Sequence, residues 1–326
     1  MKKHLPKLIA VHIYLIIAFF QIHDGLAKEP NYPIRPITVI CGWGAGGMMD
    51  LSIRALSKAA EKELGQPIIV ENKTGAGGVI AQSYVCKSKP DGYTLGVTVT
   101  STYILQPHIR KVSYDPLVDV TDIMAYARYV TGFCVRADAP WKSLEDVISF
   151  SRKNPSKFNF AHGGVGTTQH ISMEWIALKE GIKWTQVPFK SGPEAVMAVL
   201  GGHTYSVTQG PADVLPYIKT GELKLLLALN ENRWPEAPEV PTIFEKYKFC
   251  IPSYLGIYGP KEMPEAQRQK LETIFRNAMK DRSFIDTLNQ GQIEIAYLGG
   301  KDYAKKWKSQ YQEMGKLLNS IGLVEK

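Results

Sequence analysis

A glycine-rich turn between a strand pattern and a helix pattern is the feature that most restricts how this chain folds. The apolar run Ile37–Cys41 leads into Gly42-Trp-Gly-Ala-Gly-Gly47, and a helical pattern starts near Met49. Such a turn aims unpaired backbone N–H groups at one point, at the positive end of a helix dipole. We therefore expect this point to bind an anion, either a phosphate or a carboxylate.

The first 27 residues have the pattern of a secretory signal peptide. Lys2, Lys3 and Lys7 precede an apolar run from Leu8 to Phe20, and small residues follow before a cleavage point at Ala27. The apolar run is shorter than the roughly 20 residues that a membrane-spanning helix needs. We expect a periplasmic protein whose signal peptide is cleaved near Ala27.

The charge distribution argues against a nucleic-acid partner. The net charge of +8 falls to +6 when the first 27 residues, with three lysines and one aspartate, are removed. The remaining basic residues are interspersed with acids, and they form no basic stripe. The four cysteines, Cys41, Cys86, Cys134 and Cys250, include no CxxC pair, so no metal site is expected, and whether they form disulfides stays open.

Strand and helix patterns alternate along the chain, which indicates an α/β fold. The predicted strands include Ile37–Cys41, Thr94–Val99 and Ser253–Gly259. The predicted helices include one near Thr168–Glu180 and one that Ser143 caps, with Asp146 three residues on completing the capping pattern. About 300 residues after the signal peptide suggest two domains. The alternation predicts βαβ units, and hence mostly parallel sheets, in two α/β lobes whose glycine turns face a shared ligand cleft. The expected boundaries are residues 1–27 for the signal peptide, 28–128 plus 252–326 for the first lobe, and 129–251 for the second lobe.

The first turn also matches the dinucleotide fingerprint GxGxxG, with Glu71 near the position of the ribose-binding acid. Three observations oppose this interpretation. Export removes the protein from nicotinamide cofactors, Asp50 places a negative charge beside the turn, and similar turns recur at Gly75–Gly78 and Gly163–Gly166. No cofactor is therefore expected.

A second turn, Gly163-Gly-Val-Gly-Thr-Thr-Gln-His170, suits a carboxylate held by neutral donors. The alternative is a plain strand-to-helix turn with a threonine cap. His170 and Glu174 are four residues apart, but without an HExxH motif or a third ligand a structural histidine is the better interpretation. The chain also lacks a GxSxG elbow and paired carboxylates, so we expect no enzyme.

Several separated blocks, taken in order, resemble the substrate-binding receptors of tripartite tricarboxylate transporters, the Bug-type extracytoplasmic solute receptors. The resemblance runs from Tyr32 to near Gly322. The blocks are Tyr32-Pro-Ile-Arg-Pro-Ile37 with Gly46-Gly-Met-Met-Asp50 and Arg54, Val70-Glu-Asn-Lys-Thr-Gly-Ala-Gly-Gly78, Pro90-Asp-Gly-Tyr-Thr-Leu95, Gly164-Val-Gly-Thr-Thr-Gln-His170, Val187-Pro-Phe-Lys-Ser-Gly192 and Val240-Pro-Thr-Ile-Phe-Glu245.

The resemblance implies a two-lobed, type II-like periplasmic binding protein fold with a ligand cleft between the lobes. It also implies a monomeric receptor that captures a small di-, tri- or aromatic carboxylate and delivers it to integral-membrane permease subunits. It implies a ligand carboxylate held between loops of the two lobes, with the loop after Val99 facing the same cleft. The implied ligand-binding residues are Trp43, Ala45, Gly46, Gly47, Asp50, Ser101, Thr102, Gly164, Gly166, Thr167, Thr168 and His170.

The chain departs from the family pattern at Gly42-Trp43, where the family usually has Pro-Phe. This change predicts a reshaped pocket, so the choice of acid stays open. The side chain of Trp43 either stacks on the ligand or wedges its loop onto the sheet. A receptor that senses the ligand for a signalling partner, and an exported α/β enzyme, are the alternative functions.

Overall fold

Residues 32–324 are described by a computed structural model. The signal-peptide prediction lies outside these residues. From Arg35 onward the chain forms one compact unit. Its strands are β1 (Ile37–Cys41), β2 (Ile68–Asn72), β3 (Thr94–Val99), β4 (Val120–Arg128), β5 (Gly132–Arg136), β6 (Asn159–His162), β7 (Thr185–Pro188), β8 (Ser206–Gln209), β9 (Leu223–Ala228), β10 (Tyr254–Pro260) and β11 (Glu294–Gly299).

The helices connect these strands and close the chain. They are α1 (Met48–Leu64), α2 (Val79–Cys86), α3 (Thr100–Ile104), α4 (Gln106–Ile109), α5 (Leu144–Lys153), α6 (Thr168–Glu180), α7 (Gly192–Leu200), α8 (Pro211–Lys219), α9 (Ile243–Tyr247), α10 (Glu265–Ala278), α11 (Arg282–Gln290) and α12 (Gly300–Ser320). A short 3₁₀ turn, Ala76–Gly78, precedes α2.

Two sheets form the frame. The first has the strand order β11-β4-β10-β3-β1-β2, and the second has the order β7-β6-β8-β5-β9. The chain passes from the first sheet to the second between β4 and β5, and it returns between α9 and β10. The return of β10 to the first sheet agrees with the strand predicted near Ser253–Gly259.

The expectation of mostly parallel sheets was wrong, because both sheets are mixed. Among the described strands, five of nine neighbouring pairs are antiparallel. The parallel pairs are those that a helical crossover joins, as in β1–α1–β2. The strands at the passage between the sheets, β4, β5 and β10, pair antiparallel because the chain enters and leaves each sheet there without a βαβ crossover.

A polar group lies at the centre of the first lobe's core. Asp122 is buried, and its carboxylate accepts hydrogen bonds from the Tyr103 hydroxyl (3.1 Å) and from Nε1 of Trp307 (3.0 Å). The rings of Tyr103 and Trp307 stack with centroids 4.6 Å apart. Because Trp307 belongs to α12, this cluster fixes the last helix against β4.

The four cysteine thiols are unpaired, with Cys41 and Cys134 buried. Burial raises the pKa of Cys41 to about 11, so these thiols are protonated and unreactive at neutral pH. Within residues 32–324, no helix has both the length and the apolar character needed to cross a bilayer.

Candidate functional site

The first glycine turn joins β1 to α1 and is organised by its own side chains. Gly46 has a positive φ of 79°, a conformation that favours glycine. Gly47 has an extended conformation and precedes the first helical residue. The N–H of Gly46 donates to Asp50 Oδ2 (3.0 Å), and the N–H of Gly47 donates to the Gly44 carbonyl (3.3 Å). Ala45, Gly46 and Gly47 are exposed at the tip of the turn.

Asp50 positions this turn. Its buried carboxylate accepts from Nε of Arg54 (2.9 Å), from the Gly46 N–H and from Nδ2 of Asn72 (2.8 Å). Burial alone would raise the pKa of Asp50, but the hydrogen bonds from Arg54, Gly46 and Asn72 outweigh it and hold the pKa below its usual value. Nδ2 of Asn72 also donates to the Trp43 carbonyl (2.8 Å). Asp50 is thus charged, and the hydrogen-bond donors that its carboxylate accepts from are groups of the protein itself.

Trp43 packs against the Gly75–Gly78 turn, which is also in the first lobe. A Cβ added at Gly78 would lie 2.7 Å from Cη2 of Trp43 and 3.0 Å from the hydroxyl of Thr102. A Cβ added at Gly42 would lie 3.0 Å from the Gly78 Cα. The two turns therefore approach as closely as backbone permits, and the half-buried Trp43 ring lies over Gly78. This contact places the Trp43 ring between its own loop and the Gly75–Gly78 turn.

The segment after Val99 is a helical turn, α3, where a loop was expected. The expectation was wrong because tertiary contacts override the low helix propensity of Thr-Ser-Thr. The hydroxyl of Thr100 accepts from the Tyr254 N–H (2.9 Å), and that of Thr102 donates to the Gly77 carbonyl (3.1 Å). Ser101 is buried in the same turn. Thr102 therefore fixes the Gly75–Gly78 turn.

The glycine turn of the second lobe joins β6 to α6. Gly164 (φ 132°) and Gly166 (φ 78°) adopt conformations that favour glycine. Thr167 caps α6: its hydroxyl donates to the Gly164 carbonyl (2.9 Å) and accepts from the His170 N–H (3.4 Å). The helix begins at Thr168, which is buried.

His170 stabilises this turn through a hydrogen bond to its backbone. It is buried, and Nδ1 accepts from the Gly166 N–H (3.2 Å), while Nε2 lies 3.7 Å from Oε1 of Glu174. Its ring stacks on His162 with centroids 4.7 Å apart. Burial and the neighbouring His162 lower the pKa of His170 to about 3, so its ring is neutral. His170 thus supports the turn through the Gly166 N–H.

Gln106, which sequence reasoning missed, joins the two lobes. It opens α4 in the first lobe, and its Nε2 donates to the carbonyl oxygens of Gly166 (3.1 Å) and Val165 (3.4 Å). A Cβ added at Gly77 or at Gly166 would lie 2.5 Å or 2.7 Å from this nitrogen. Gln106 is 1% exposed, and its Oε1 has no partner within residues 32–324. No local pattern marks this glutamine, because only the fold brings it to Gly166.

The structure thus brings the two predicted turns to one region. Trp43, Gly78 and Thr102 lie together in the first lobe, and Gln106 connects that lobe to the Gly163–Gly166 turn. The N–H groups of Gly46, Gly47, Gly164 and Gly166 already have partners. An anion at these turns would therefore depend on the N–H groups at the starts of α1 and α6, which have no carbonyl partner within the helix.

A small pocket borders this region at Thr168. It lies where residues 128–131 and 250–253 run between the sheets, beside residues 229–232 and Glu294. Of the predicted ligand-binding residues, Thr168 alone is among its lining residues. The pocket therefore belongs to the passage between the sheets and not to the glycine turns.

The geometry of the first glycine turn does not favour binding of a dinucleotide. The charged Asp50 occupies the position behind the turn and already holds the Gly46 N–H, which a pyrophosphate would need. Glu71 is exposed, 3.7 Å from Nζ of Lys73. Across residues 32–324, no three His, Cys, Asp or Glu side chains are grouped as metal ligands would be.

Comparison with known proteins agrees with this geometry. A family model described as the tripartite tricarboxylate transporter family receptor matches residues 52–323. A UPF0065 protein of the gbd 5′ region of Cupriavidus necator is 35% identical over 300 residues, covering 92% of this chain and 91% of that protein.

Two solved structures are similar over nearly the same length. A TctC solute-binding protein from Polaromonas, without ligand, is 30% identical with a TM-score of 0.73, covering 88% of this chain and 99% of that one. MatC from Rhodopseudomonas palustris with bound malate is 25% identical with a TM-score of 0.78, covering 88% and 100%. These similarities confirm the two-lobed α/β fold and the resemblance drawn from the sequence blocks.

Proposed function

The chain belongs to the tripartite tricarboxylate transporter receptor family, and from this premise we propose that it captures a small carboxylate between its two lobes and delivers it to a membrane permease. One observation carries the proposal. Two glycine turns, each opening a helix, lie in different lobes, and the hydrogen bond from Gln106 of the first lobe to Gly166 connects the lobes at the second of these turns. The lobes proposed are residues 28–128 plus 252–326 and residues 129–251.

The N-termini of α1 and α6 supply the attraction for an anion. Each helix carries a positive partial charge at its first turn, where the N–H groups have no carbonyl partner within the helix. Carboxylate oxygens accept from such groups directly or through ordered water. Thr167 and Asp50 keep the two turns in the required conformation, and His170 supports the turn at α6. Thr102 fixes the neighbouring Gly75–Gly78 turn.

The remaining predicted residues form the walls of the same site. Trp43, Ala45, Gly46 and Gly47 present the first turn, and Gly164, Gly166 and Thr168 present the second. Ser101, in the buried α3 turn, lies behind the first wall. The bound malate of MatC supports a carboxylate as the ligand class for this chain.

Transport by a tripartite system implies that the receptor acts in the periplasm as a monomer, without catalysis and without a cofactor. The lysine- and arginine-rich surface, with a net charge of +6 after removal of the first 27 residues, attracts anionic solutes by long-range steering. The permease subunits are the proposed macromolecular partner.

A ligand screen tests the capture step. Thermal unfolding is measured with mono-, di- and tricarboxylates, aromatic acids and, as the opposing class, nucleotides. A carboxylate present at a hundred times its dissociation constant stabilises the protein by about 2.7 kcal/mol. Mass spectrometry of the ligand that co-purifies identifies the acid. Stabilisation by a nucleotide, with none by any carboxylate, contradicts the proposal.

Two variants locate the site. Gly47→Val obstructs the first turn, because a side chain there meets the Gly44 carbonyl at 3.3 Å, and Thr167→Val removes the cap of α6. Both should weaken binding of the acid found in the screen, whereas Thr287→Val, on α11, should not. Unchanged affinity in both turn variants would place the pocket elsewhere.

A further inference from the structure

An acidic side chain that has no ion-pair or hydrogen-bond partner within residues 32–324 lies near the Gly163–Gly166 turn. Asp213 belongs to the first turn of α8, and its carboxylate lies against Gly192, the first residue of α7. A Cβ added at Gly192 would lie 2.8 Å from Cγ of Asp213. Within residues 32–324, neither an ion pair nor a hydrogen bond to this carboxylate is present, although the chain holds many lysines and arginines.

The surroundings of Asp213 leave its charge uncompensated. The side chain is half-buried, and burial raises the pKa of Asp213 to about 6. The hydroxyl of the half-buried Tyr129 is nearby, but it is hydrogen-bonded to the Gly210 backbone. Two helix N-termini meet here, which favours a negative charge, yet desolvation prevails. A ligand cation would pair with this carboxylate without having to displace a protein cation.

Gln209 connects this carboxylate to the glycine turn. It ends β8, it is 2% exposed, and its Nε2 has no partner among the described residues. A Cβ added at Gly163 would lie 3.2 Å from this Nε2, and a Cβ added at Gly192 would lie 3.1 Å from Oε1. The glutamine therefore lies between the Gly163 turn and Asp213. A buried donor left unpaired costs about 1–3 kcal/mol, so its partner is expected to be a ligand acceptor.

We propose that Gln209 and Asp213 form a subsite that selects carboxylates bearing a protonated amine over plain carboxylates. This inference rests on the proposed function, because the helix N-termini hold the carboxylate of the same ligand. The amide of Gln209 donates to a ligand oxygen, and Asp213 accepts from the ammonium group. A second ligand carboxylate at this place would meet a like charge, which disfavours di- and tricarboxylates without an amine.

A purely structural role for Asp213 is the competing explanation. In that case the carboxylate only stabilises the starts of α7 and α8 through their dipoles. Its removal would lower the melting temperature and change the affinities for all acids alike. The two roles therefore differ in the ratio of affinities between acids with and without an amine.

Isothermal titration of matched ligand pairs tests the subsite. The pairs are L-aspartate and succinate, L-glutamate and glutarate, and 4-aminobutyrate and butyrate, each measured with the full mature chain at pH 7.5. In the wild type, the amino member of the best-binding pair should bind at least tenfold more tightly. Asp213→Asn should abolish this preference and leave the plain acid equal or tighter. Asp302→Asn, an exposed acid in the first turn of α12, should behave as the wild type does.

The outcomes separate the two proposals. Plain acids that bind as tightly as the amino acids in the wild type, or a preference that survives Asp213→Asn, overturn the subsite while leaving the proposed function intact. Failure of every acid, in these pairs and in the wider screen, overturns both. If Asp213→Asn does not fold, Asp213→Ser and Gln209→Leu are measured by the same ratio, and an unchanged ratio in these variants also overturns the subsite.

Discussion

Nε2 of Gln106 donates a hydrogen bond to the carbonyl oxygen of Gly166 over 3.1 Å, and these two residues belong to different lobes. The side chain is 1% exposed, and it fits because neither Gly77 nor Gly166 has a Cβ. A neutral side chain therefore contributes to the contact between the lobes beside the proposed ligand site, and this links capture to lobe contact.

Gln106→Ala should weaken ligand binding by favouring separated lobes. A net hydrogen bond contributes about 1 kcal/mol, which corresponds to an about fivefold higher dissociation constant. Titration of the acid found in the screen measures this change. Gln269→Ala removes an exposed glutamine from α10 and serves as the control. Equal affinities in the wild type and in Gln106→Ala would show that this contact does not contribute to capture.

Asp50→Asn should destabilise the protein and disorder the first turn. The substitution leaves Arg54 without a charged partner and replaces a charge-assisted acceptor of the Gly46 N–H. Hydrogen bonds to a charged group contribute about 1.5–3 kcal/mol, and the exposure of Arg54 places the expected loss at the lower end. Urea unfolding at pH 7 measures it, with Asp302→Asn as the control.

The same carboxylate gives this loss a definite pH dependence. Because the folded pKa of Asp50 is below its ordinary value, its contribution is present above pH 4 and is lost as the pH falls through the folded pKa. The difference between wild type and Asp50→Asn should therefore shrink on acidification below pH 4. A difference that stays constant down to pH 2 would contradict the assignment of a charged Asp50.

The contribution of Asp122 to the free energy of unfolding should depend on pH with the opposite sign. Burial raises its folded pKa to about 6, against the hydrogen bonds from Trp307 and Tyr103. Its contribution is thus fully present below the unfolded pKa and is lost as the pH rises through 6. Relative to Asp122→Asn, the wild type should gain about 1.4 kcal/mol of stability between pH 8 and pH 5.

Denaturant unfolding at both pH values checks this gain. Tyr103→Phe removes one donor that favours the charged carboxylate, so its transition should move to higher pH. If the stabilities of the wild type and Asp122→Asn change in parallel from pH 8 to pH 5, the buried carboxylate does not titrate in this range.

His170 should make the second turn sensitive to acid. Its folded pKa is about 3, far below the unfolded value, so its contribution is present above pH 6.5 and is lost as the pH falls towards 3. Between pH 7 and pH 5 the expected loss is about 2 kcal/mol. His170→Asn keeps an acceptor for the Gly166 N–H but cannot become charged, so it should lose less stability over this range.

The measurement is the unfolding free energy at pH 7, 6 and 5, with His203→Asn, an exposed histidine, as the control. An Asn variant that loses as much stability as the wild type would show that the stacked histidines are not the source of the acid sensitivity.

Local signals in the sequence predicted most elements correctly, because they depend on neighbouring residues. The strands Ile37–Cys41 and Thr94–Val99 and the helix Thr168–Glu180 have the predicted bounds. The capping box of Ser143 and Asp146 is also confirmed. These elements follow from apolar periodicity and from cap residues, both of which act over a few positions.

The strand β4 was not predicted, and the reason is physical. Its sequence, Val-Thr-Asp-Ile-Met-Ala-Tyr-Ala-Arg, has no alternation, since nearly all of the strand is buried, and it includes Asp122. A buried acid reads as a surface residue until its partners on α3 and α12 are known. The glycine turns could be predicted as a pair, whereas Gln106, Gln209 and Asp213 could not, because contacts with residues distant in the sequence define their roles.

The position of β10 between β3 and β4 has a consequence for how the chain folds during synthesis. A nascent chain that ends before residue 254 lacks both neighbours of β4, since β11 and β10 are made later. The second sheet, complete by residue 228, can assemble by that time. We therefore expect the second lobe to fold first as the chain emerges, and prematurely terminated chains to expose unpaired strand edges that promote aggregation.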